Sequence, residues 1–503
     1  MLERGLRVLL VASECQPLAK AGGLGDVVAA LGKALARRGH EVRVVLPLYG
    51  WIDPERVAAR LVGPLRVPMG TGDEGAAVWS ARLDGGVETV LLEHRRFYDR
   101  PQIYGDPGGD DAWRFGFLSR AALEIALEAP DVPDVVHAHD WPSAPATAYL
   151  AHLRESRAPL AGTASVLTIH NLEYQGRFAA AAWPYLGLPA EELASERFED
   201  LGGLNLLKGG IASADALATV SPTHAREMLT PPGGHGLEPF LAARAADTTG
   251  ILNGVDDELW NPETDALLPR RYSVHDLRGK SACKRALQER LGLEPRADVP
   301  LFGIVSRFAP QKGLDLLIAA LPPLLEQGEA QLVVQGSGDA GLESFFRELA
   351  GRHPRRAAAR IGYSEEMAHA IHGGADFFLM PSRYEPCGLG QMYALRYGTL
   401  PIVRATGGLA DTVVDAASPG GDGTGLTFTA PTPDALGAAL RRAVECWYVR
   451  PSLIARLRRR AMAQRFSWDA AAARYEAVYA AALAKRGRHG VRRSDTVSGA
   501  AAG

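Results

Sequence analysis

Between residues 376 and 412 two short apolar runs each end in a turn that opens a helix, and few folds accommodate that order. The first run, 376–380, is too short for a helix and too apolar for an exposed strand, so it reads as a strand buried on both faces. Pro381 stops it, and a polar turn presents Glu385 at the strand's carboxyl end. Leu389, Met392 and Leu395 then recur at helical spacing and lead to a second apolar strand at 400–403. That strand runs into Thr406-Gly407-Gly408 and another helix start. Two glycine-bearing turns are therefore expected side by side at one edge of a parallel sheet. Amide ends of this kind suit anions, phosphates above all. A carboxylate beside a phosphate cradle suggests sugar-nucleotide chemistry.

The same alternation fills the chain. Apolar strands are predicted at 6–12, 42–46, 87–92, 134–138, 166–169 and 216–219, mostly separated by Ala- and Leu-rich helical stretches. After a polar stretch near 245–249 the pattern restarts, with strands at 301–305, 332–335, 377–380, 401–403 and 425–428. Continuous apolar strands alternating with helices imply parallel sheets covered on both faces. At 503 residues the chain exceeds one ordinary core. The expected architecture is α/β, with two Rossmann-like doubly wound domains facing across a cleft. The domain ranges expected are 1–248, 249–467, a terminal helix at 468–485 and a disordered tail at 486–503, where no apolar period is left.

A net charge of −3 gives no support to nucleic acid or membrane binding. No apolar run approaches the ~20 residues that span a bilayer, and no signal peptide precedes the first strand. Cys15, Cys283, Cys387 and Cys446 are widely separated and match no zinc spacing, so a reduced cytoplasm is the simplest location.

Further motifs stand at predicted strand ends. Lys20-Ala21-Gly22-Gly23-Leu24-Gly25-Asp26 opens the first helix, and Leu24, Leu31 and Leu35 continue its apolar face. It lacks the Gly-x-Gly-x-x-Gly spacing of a dinucleotide loop, but its glycines admit close approach and Lys20 can neutralise phosphate. In His137-Ala138-His139-Asp140-Trp141 strand alternation puts both histidines on one face. That suits either a shared metal or a buried, hydrogen-bonded histidine beside Asp140. His170-Asn171 ends another strand, where a histidine can donate to a sugar hydroxyl. Asn253-Gly254 reads as a turn. Arg307 and Lys312 leave a strand together, as either a solvated pair or a diphosphate clamp. No Asp-x-Asp and no Gly-x-x-x-x-Gly-Lys-Ser/Thr loop occurs.

Together these motifs resemble bacterial glycogen synthases and plant starch synthases, glycosyltransferase family 5. The matching segments are 20–26, 137–141, 170–178, 205–221, 250–262, 305–313, 336–339, 362–363 and 381–412, in the family's order across nearly the whole chain. The resemblance implies the two-domain GT-B arrangement. It implies retaining transfer of glucose from ADP-glucose to the non-reducing 4-hydroxyl of an α-1,4-glucan such as glycogen, with no cofactor and no metal. UDP-glucose-using and maltose-forming transferases are the alternatives.

By the same resemblance His170, Glu385, Arg307 and Lys312 are the catalytic set. Lys20, Gly22, Gly23, Arg307, Lys312, Glu385, Gly388, Leu389, Gly390, Thr406, Gly407 and Gly408 are implied at the donor, with Tyr363 stacking on its base. Asp26, Tyr104, Asp140, Asn171 and Asn253 are implied on the acceptor or sugar side. Gly390 stands where bacterial members often carry threonine, and Tyr393 replaces the second glutamate of many other retaining GT-B enzymes.

Overall fold

The computed structural model describes residues 5–83, 85–105 and 109–497, without side chains beyond 487. By internal contacts the chain divides into two units. The first comprises residues up to 220, 225–254 and the segment from 468, and the second comprises 221–224 and 255–467.

Among the described residues the first unit contains twelve strands, β1 (Arg7–Val11), β2 (Glu41–Pro47), β3 (Arg60–Met69), β4 (Gly72–Arg82), β5 (Glu88–Glu93), β6 (Val135–His139), β7 (Ala164–Ile169), β8 (Arg177–Ala179), β9 (Glu199–Asp200), β10 (Gly203–Asn205), β11 (Ala216–Thr219) and β12 (Thr248–Gly250). Nine form one sheet in the order β12-β11-β7-β6-β1-β2-β5-β4-β3, and β8, β10 and β9 form a small separate one. From β12 to β5 all pairs are parallel, but β4 pairs antiparallel with both β5 and β3. The purely parallel sheet expected from sequence thus gains an antiparallel hairpin at one edge. β12 begins at the boundary expected at 248, and the unit continues to Gly254.

The local reasons are legible. β6 and β7 are buried at every position, as strands covered on both faces must be. The first helix, Gly23–Arg37, buries Leu24, Val27, Val28, Leu31 and Leu35, and the chain turns away at Gly39 with φ +90°. The last helix runs from Trp468 to Val497. It continues past Lys485, where sequence alone suggested a disordered tail. It packs on the first helix, β7 and β11, burying Ala472, Tyr475, Tyr479 and Ala482 completely. Each fully buried ring or leucine of such a core contributes about 1.5–3 kcal/mol. Glu476 of this helix ties down Arg38 at 2.6 Å and His40 at 3.0 Å.

The second unit holds a six-stranded parallel sheet, ordered β15-β14-β13-β16-β17-β18. Its strands are β13 (Leu301–Val305), β14 (Gln331–Gly336), β15 (Ala357–Ile361), β16 (Phe377–Met380), β17 (Leu400–Arg404) and β18 (Leu426–Phe428). In both sheets the chain starts in the middle, builds outward one way, then returns to build the other way. The reversal lies between β1 and β6 in the first unit and between β13 and β16 in the second. Beyond the carboxyl ends of such strands the flanking loops part and leave a crevice, the usual ligand position of doubly wound sheets.

Candidate active site

In the second unit, β13 and β16 deliver their following loops to that crevice. The β13 loop carries Arg307 and Lys312, and the β16 turn carries Glu385. Lys312 Nζ donates to both carboxylate oxygens of Glu385, at 2.9 and 2.7 Å. The Ser382 hydroxyl donates to Glu385 Oε2 at 2.9 Å. Glu385 is nearly buried, so its charge is held by a fixed cation and a fixed hydroxyl rather than by water.

The two loops lock together through backbone. Arg383 N–H donates to the Gln311 carbonyl at 2.8 Å. Gly313, at φ +61°, passes so close to Pro381 that a Cβ would stand 2.2 Å from its carbonyl oxygen. Only glycine satisfies both conditions, which fixes where Lys312 emerges. Arg307 is exposed and has no ion-pair partner among the described residues.

Neighbouring strand ends join the same edge. Phe308 N–H donates to the Ser337 carbonyl, and Gly362 N–H to the Gly336 carbonyl, linking the loops after β13, β14 and β15. Tyr363 follows, 68% exposed, an unusual exposure for a ring of that size.

The turn after β17 closes on the turn after β16. Gly408 N–H donates to the carbonyls of Glu385 (3.0 Å) and Pro386 (3.1 Å). A Cβ on Gly407 would lie 2.0 Å from the Glu385 carbonyl oxygen, and one on Gly408 equally close to that of Cys387. The Gly408 amide therefore serves the turn itself and is not open to an anion. Thr406 is buried at this junction. Gly388 takes φ +71° ahead of Leu389, and the helix Gly390–Arg396 begins directly after. A Cβ at Gly390 would press on the Phe378 ring at 3.0 Å, a physical reason for glycine at this helix start.

In the first unit the organising group is Glu14, which follows β1 and is buried. One carboxylate oxygen accepts the amides of Ala21 (2.7 Å) and Gly22 (3.0 Å), and the other accepts the Tyr104 hydroxyl at 2.6 Å. Tyr104 also shares a hydrogen with Ser13 at 2.8 Å. Burial, with Glu14 beside it, pushes the Tyr104 phenol well above its ordinary range. The Lys20–Gly25 turn is thus pinned from beneath while its outer surface is open: nothing lies within 4 Å of a Cβ on Gly22 or Gly23. Lys20 Nζ pairs with Asp26 at 2.7 Å on the same rim.

Asp140, at the end of β6, adopts φ +58°, a strained conformation for a residue with a Cβ. Its carboxylate accepts the backbone N–H of His170 at 2.6 Å and of Asn171 at 3.4 Å. Burial raises its carboxyl to about 7, against the opposing effect of those two amides. His170 Nε2 meets His139 Nδ1 at 3.0 Å. Burial holds His170 and His137 down to about 3, and His139 is lowered likewise, so all three imidazoles are neutral near pH 7.

His137 and His139 do share a face, with ring centroids 4.1 Å apart. His137 spends its nitrogens on Tyr479 and Thr168, and no metal-binding group of three is found among the described residues. Asn253 lies on the turn after β12, buried, its side-chain oxygen without a partner; no hydrogen bond links it to Asp140 or His170.

Sequence reasoning named neither Glu14 nor Ser382. Glu14 had a signal: it is an acidic residue directly past a buried strand, where side chains point into the crevice. Ser382 had none beyond its proximity to Glu385.

Two Rossmann-like sheets thus carry polar groups at their switch points, one a cation–carboxylate pair and the other a pinned glycine turn, and the relatives of the chain place this arrangement in the GT-B class of glycosyltransferases. The description of the starch synthase catalytic domain matches residues 7–243, and that of glycosyl transferases group 1 matches residues 288–463. Glycogen synthase 1 of Geobacter sulfurreducens is 47% identical over 96% of this chain and 97% of its own length. Glycogen synthase of Anaeromyxobacter dehalogenans is 48% identical over 94% of this chain and 98% of its own. The catalytic domain of starch synthase IV from Arabidopsis thaliana, solved with ADP and acarbose, superposes with a TM-score of 0.88 at 35% identity, covering 95% of this chain and all of that one. The chain belongs to the glycogen synthase family of glucosyltransferases, glycosyltransferase family 5.

Proposed function

We propose that this chain transfers glucose from ADP-glucose to the non-reducing-end 4-hydroxyl of an α-1,4-glucan such as glycogen, with retention, releasing ADP. The observation that carries the reading is the Lys312–Glu385 pair at the switch point of the second sheet, with Arg307 exposed on the same loop. The Arabidopsis relative, bound to ADP and acarbose, supports the donor and the acceptor class.

Lys312 has three N–H donors and spends two on Glu385, so one is left for a phosphate oxygen. Arg307 offers a guanidinium to the same diphosphate. Departure of a nucleoside diphosphate leaves an oxocarbenium-like glucosyl unit, which needs positioning and fixed charge more than a strong base. Glu385 supplies that charge and keeps lone pairs for glucose hydroxyls beyond those Lys312 and Ser382 use. The departing phosphate accepts the acceptor's proton on the same face.

Tyr363 stacks on the nucleobase, and the backbone around Gly388, Leu389, Gly390, Thr406 and Gly407 flanks the phosphates. Lys20, with Gly22 and Gly23 leaving room, approaches the donor phosphates. His170 takes the glucosyl unit through its carbonyl and free ring nitrogen. Asp26, Tyr104, Asp140, Asn171 and Asn253 serve the glucan. No helix among the described residues is long and apolar enough to cross a membrane, and cytoplasmic synthesis on glycogen is the setting this chemistry fits.

Radiolabelled ADP-glucose and UDP-glucose, each offered with glycogen and then with maltose, test the reading. Label entering glycogen preferentially from ADP-glucose is expected. Preference for UDP-glucose, or label confined to a new short sugar, would replace it with one of the alternatives.

A further inference from the structure

Two large aromatic side chains of the first unit stand exposed among the described residues, Trp51 and Tyr174. They lie in the loops that leave the carboxyl ends of β2 and β7, on the edge that carries Glu14, Asp140 and His170.

Trp51 is 45% exposed, yet it is firmly held. Its ring lies flat on Tyr49, with 4.7 Å between centroids and 6° between planes. Its indole N–H donates to the Leu18 carbonyl at 3.1 Å. Tyr49 is wholly buried and donates to the Ser13 carbonyl at 2.7 Å. Gly50 has no room for a side chain, since a Cβ would stand 2.2 Å from an Asp99 carboxylate oxygen, and its N–H donates to the Tyr98 carbonyl at 3.0 Å. One face of the indole is therefore covered and its edge is tied, while the remainder meets water.

The scaffold beneath is shared with the acceptor-side groups. Leu18 belongs to the loop that continues into Lys20, and Ser13 bonds Tyr104, which Glu14 joins to the Ala21 and Gly22 amides. Exposed apolar residues scattered singly need no explanation. A rigid ring on this edge differs, because its ordering has already been met before any ligand arrives. The ring's flat apolar face suits the C–H face of a pyranose.

The geometry points to Trp51 as a stacking subsite for a glucose unit of the glucan other than the one that receives glucose. This rests on the glucan-acceptor reading above, in which Asp26 and Tyr104 are among the groups that serve the glucan.

The test compares the native chain with Trp51→Ala and Trp51→Phe. Half-saturating maltoheptaose should rise about three- to tenfold in Trp51→Ala and return most of the way in Trp51→Phe. Half-saturating ADP-glucose should stay within about twofold, since stacking on the acceptor adds nothing to donor contacts. Calorimetric titration with maltoheptaose, which needs no turnover, should show the same loss of affinity. Unchanged maltoheptaose affinity in Trp51→Ala overturns the proposal. So does an equal rise for ADP-glucose, maltose and maltoheptaose, which marks Trp51 as merely structural. Should the native chain transfer glucose from neither nucleotide sugar, the functional reading fails, and the titration alone decides for or against Trp51.

Discussion

Replacing Glu385 by glutamine changes one atom and one charge, and the structure specifies what each does. Lys312 donates to both carboxylate oxygens, and Ser382 donates to Oε2. In glutamine the oxygen keeps the Oε2 place, where two donors converge, and the amide nitrogen takes the Oε1 place. There it faces Lys312 Nζ as one donor against another. One charge-assisted hydrogen bond is lost, at a cost of about 1.5–3 kcal/mol to the local arrangement, but the turn itself is held by backbone bonds from Gly408 and is expected to survive.

The chemical cost is separate. A fixed negative charge beside developing positive charge on the sugar is comparable to one preorganised electrostatic group, worth about 2.7–4 kcal/mol or a hundred- to thousandfold in kcat. The assay is incorporation of radiolabelled glucose from ADP-glucose into glycogen, with kcat and donor KM determined separately. Glu385→Gln should lose kcat by that factor while KM moves much less, and circular dichroism should match the native chain. Turnover above about a third of native, a barrier change under 1 kcal/mol, would refute the charge-steadying role.

Lys312→Met should raise half-saturating ADP-glucose about ten- to hundredfold, the equivalent of a lost charge-assisted phosphate contact of 1.5–3 kcal/mol, as read from donor saturation curves. Gly407→Ala forces a Cβ to 2.0 Å from the Glu385 carbonyl at φ +45° and should lower the melting temperature by several degrees, at about 1–3 kcal/mol. Gly22→Ala meets nothing and should melt like the native chain, any loss falling on donor KM. His137 stays neutral down to about 3 when folded, whereas the unfolded chain protonates it near its ordinary value of about 6.5. Stability is therefore lost as pH falls between those values, by about 1.4 kcal/mol per pH unit for one such group. Melting temperature followed from pH 7 to 4 should fall more steeply in the native chain than in His137→Asn; parallel curves would contradict this.

Strands with both faces buried were legible in the sequence because burial demands unbroken apolar runs, as at 301–305 and 377–380. The hairpin of β3 and β4 was not. Its strands bury alternate positions such as Leu65, Val67 and Met69, and Gly63, Pro64 and Pro68 interrupt the pattern. β12 was read as a polar linker because an edge strand needs few apolar residues once its backbone is paired with β11. The last helix beyond Lys485 carries no apolar period, and periodicity is the signal by which sequence reveals a helix. The candidate site followed the same division. Arg307, Lys312 and Glu385 are charged residues just past buried strands, and that position is readable.

The sequence by itself determined the two-sheet α/β plan and the strand ends at which polar groups collect, since hydrophobic period and glycine placement are local properties of the chain. Only the tertiary structure decided that Lys312 and Glu385 pair, that the Gly408 amide is consumed by its neighbour, and that Glu14 supports both Tyr104 and the Lys20 turn. Those outcomes depend on which strands become neighbours. Strand order is a long-range property, set by packing across tens of residues, and no window of sequence contains it.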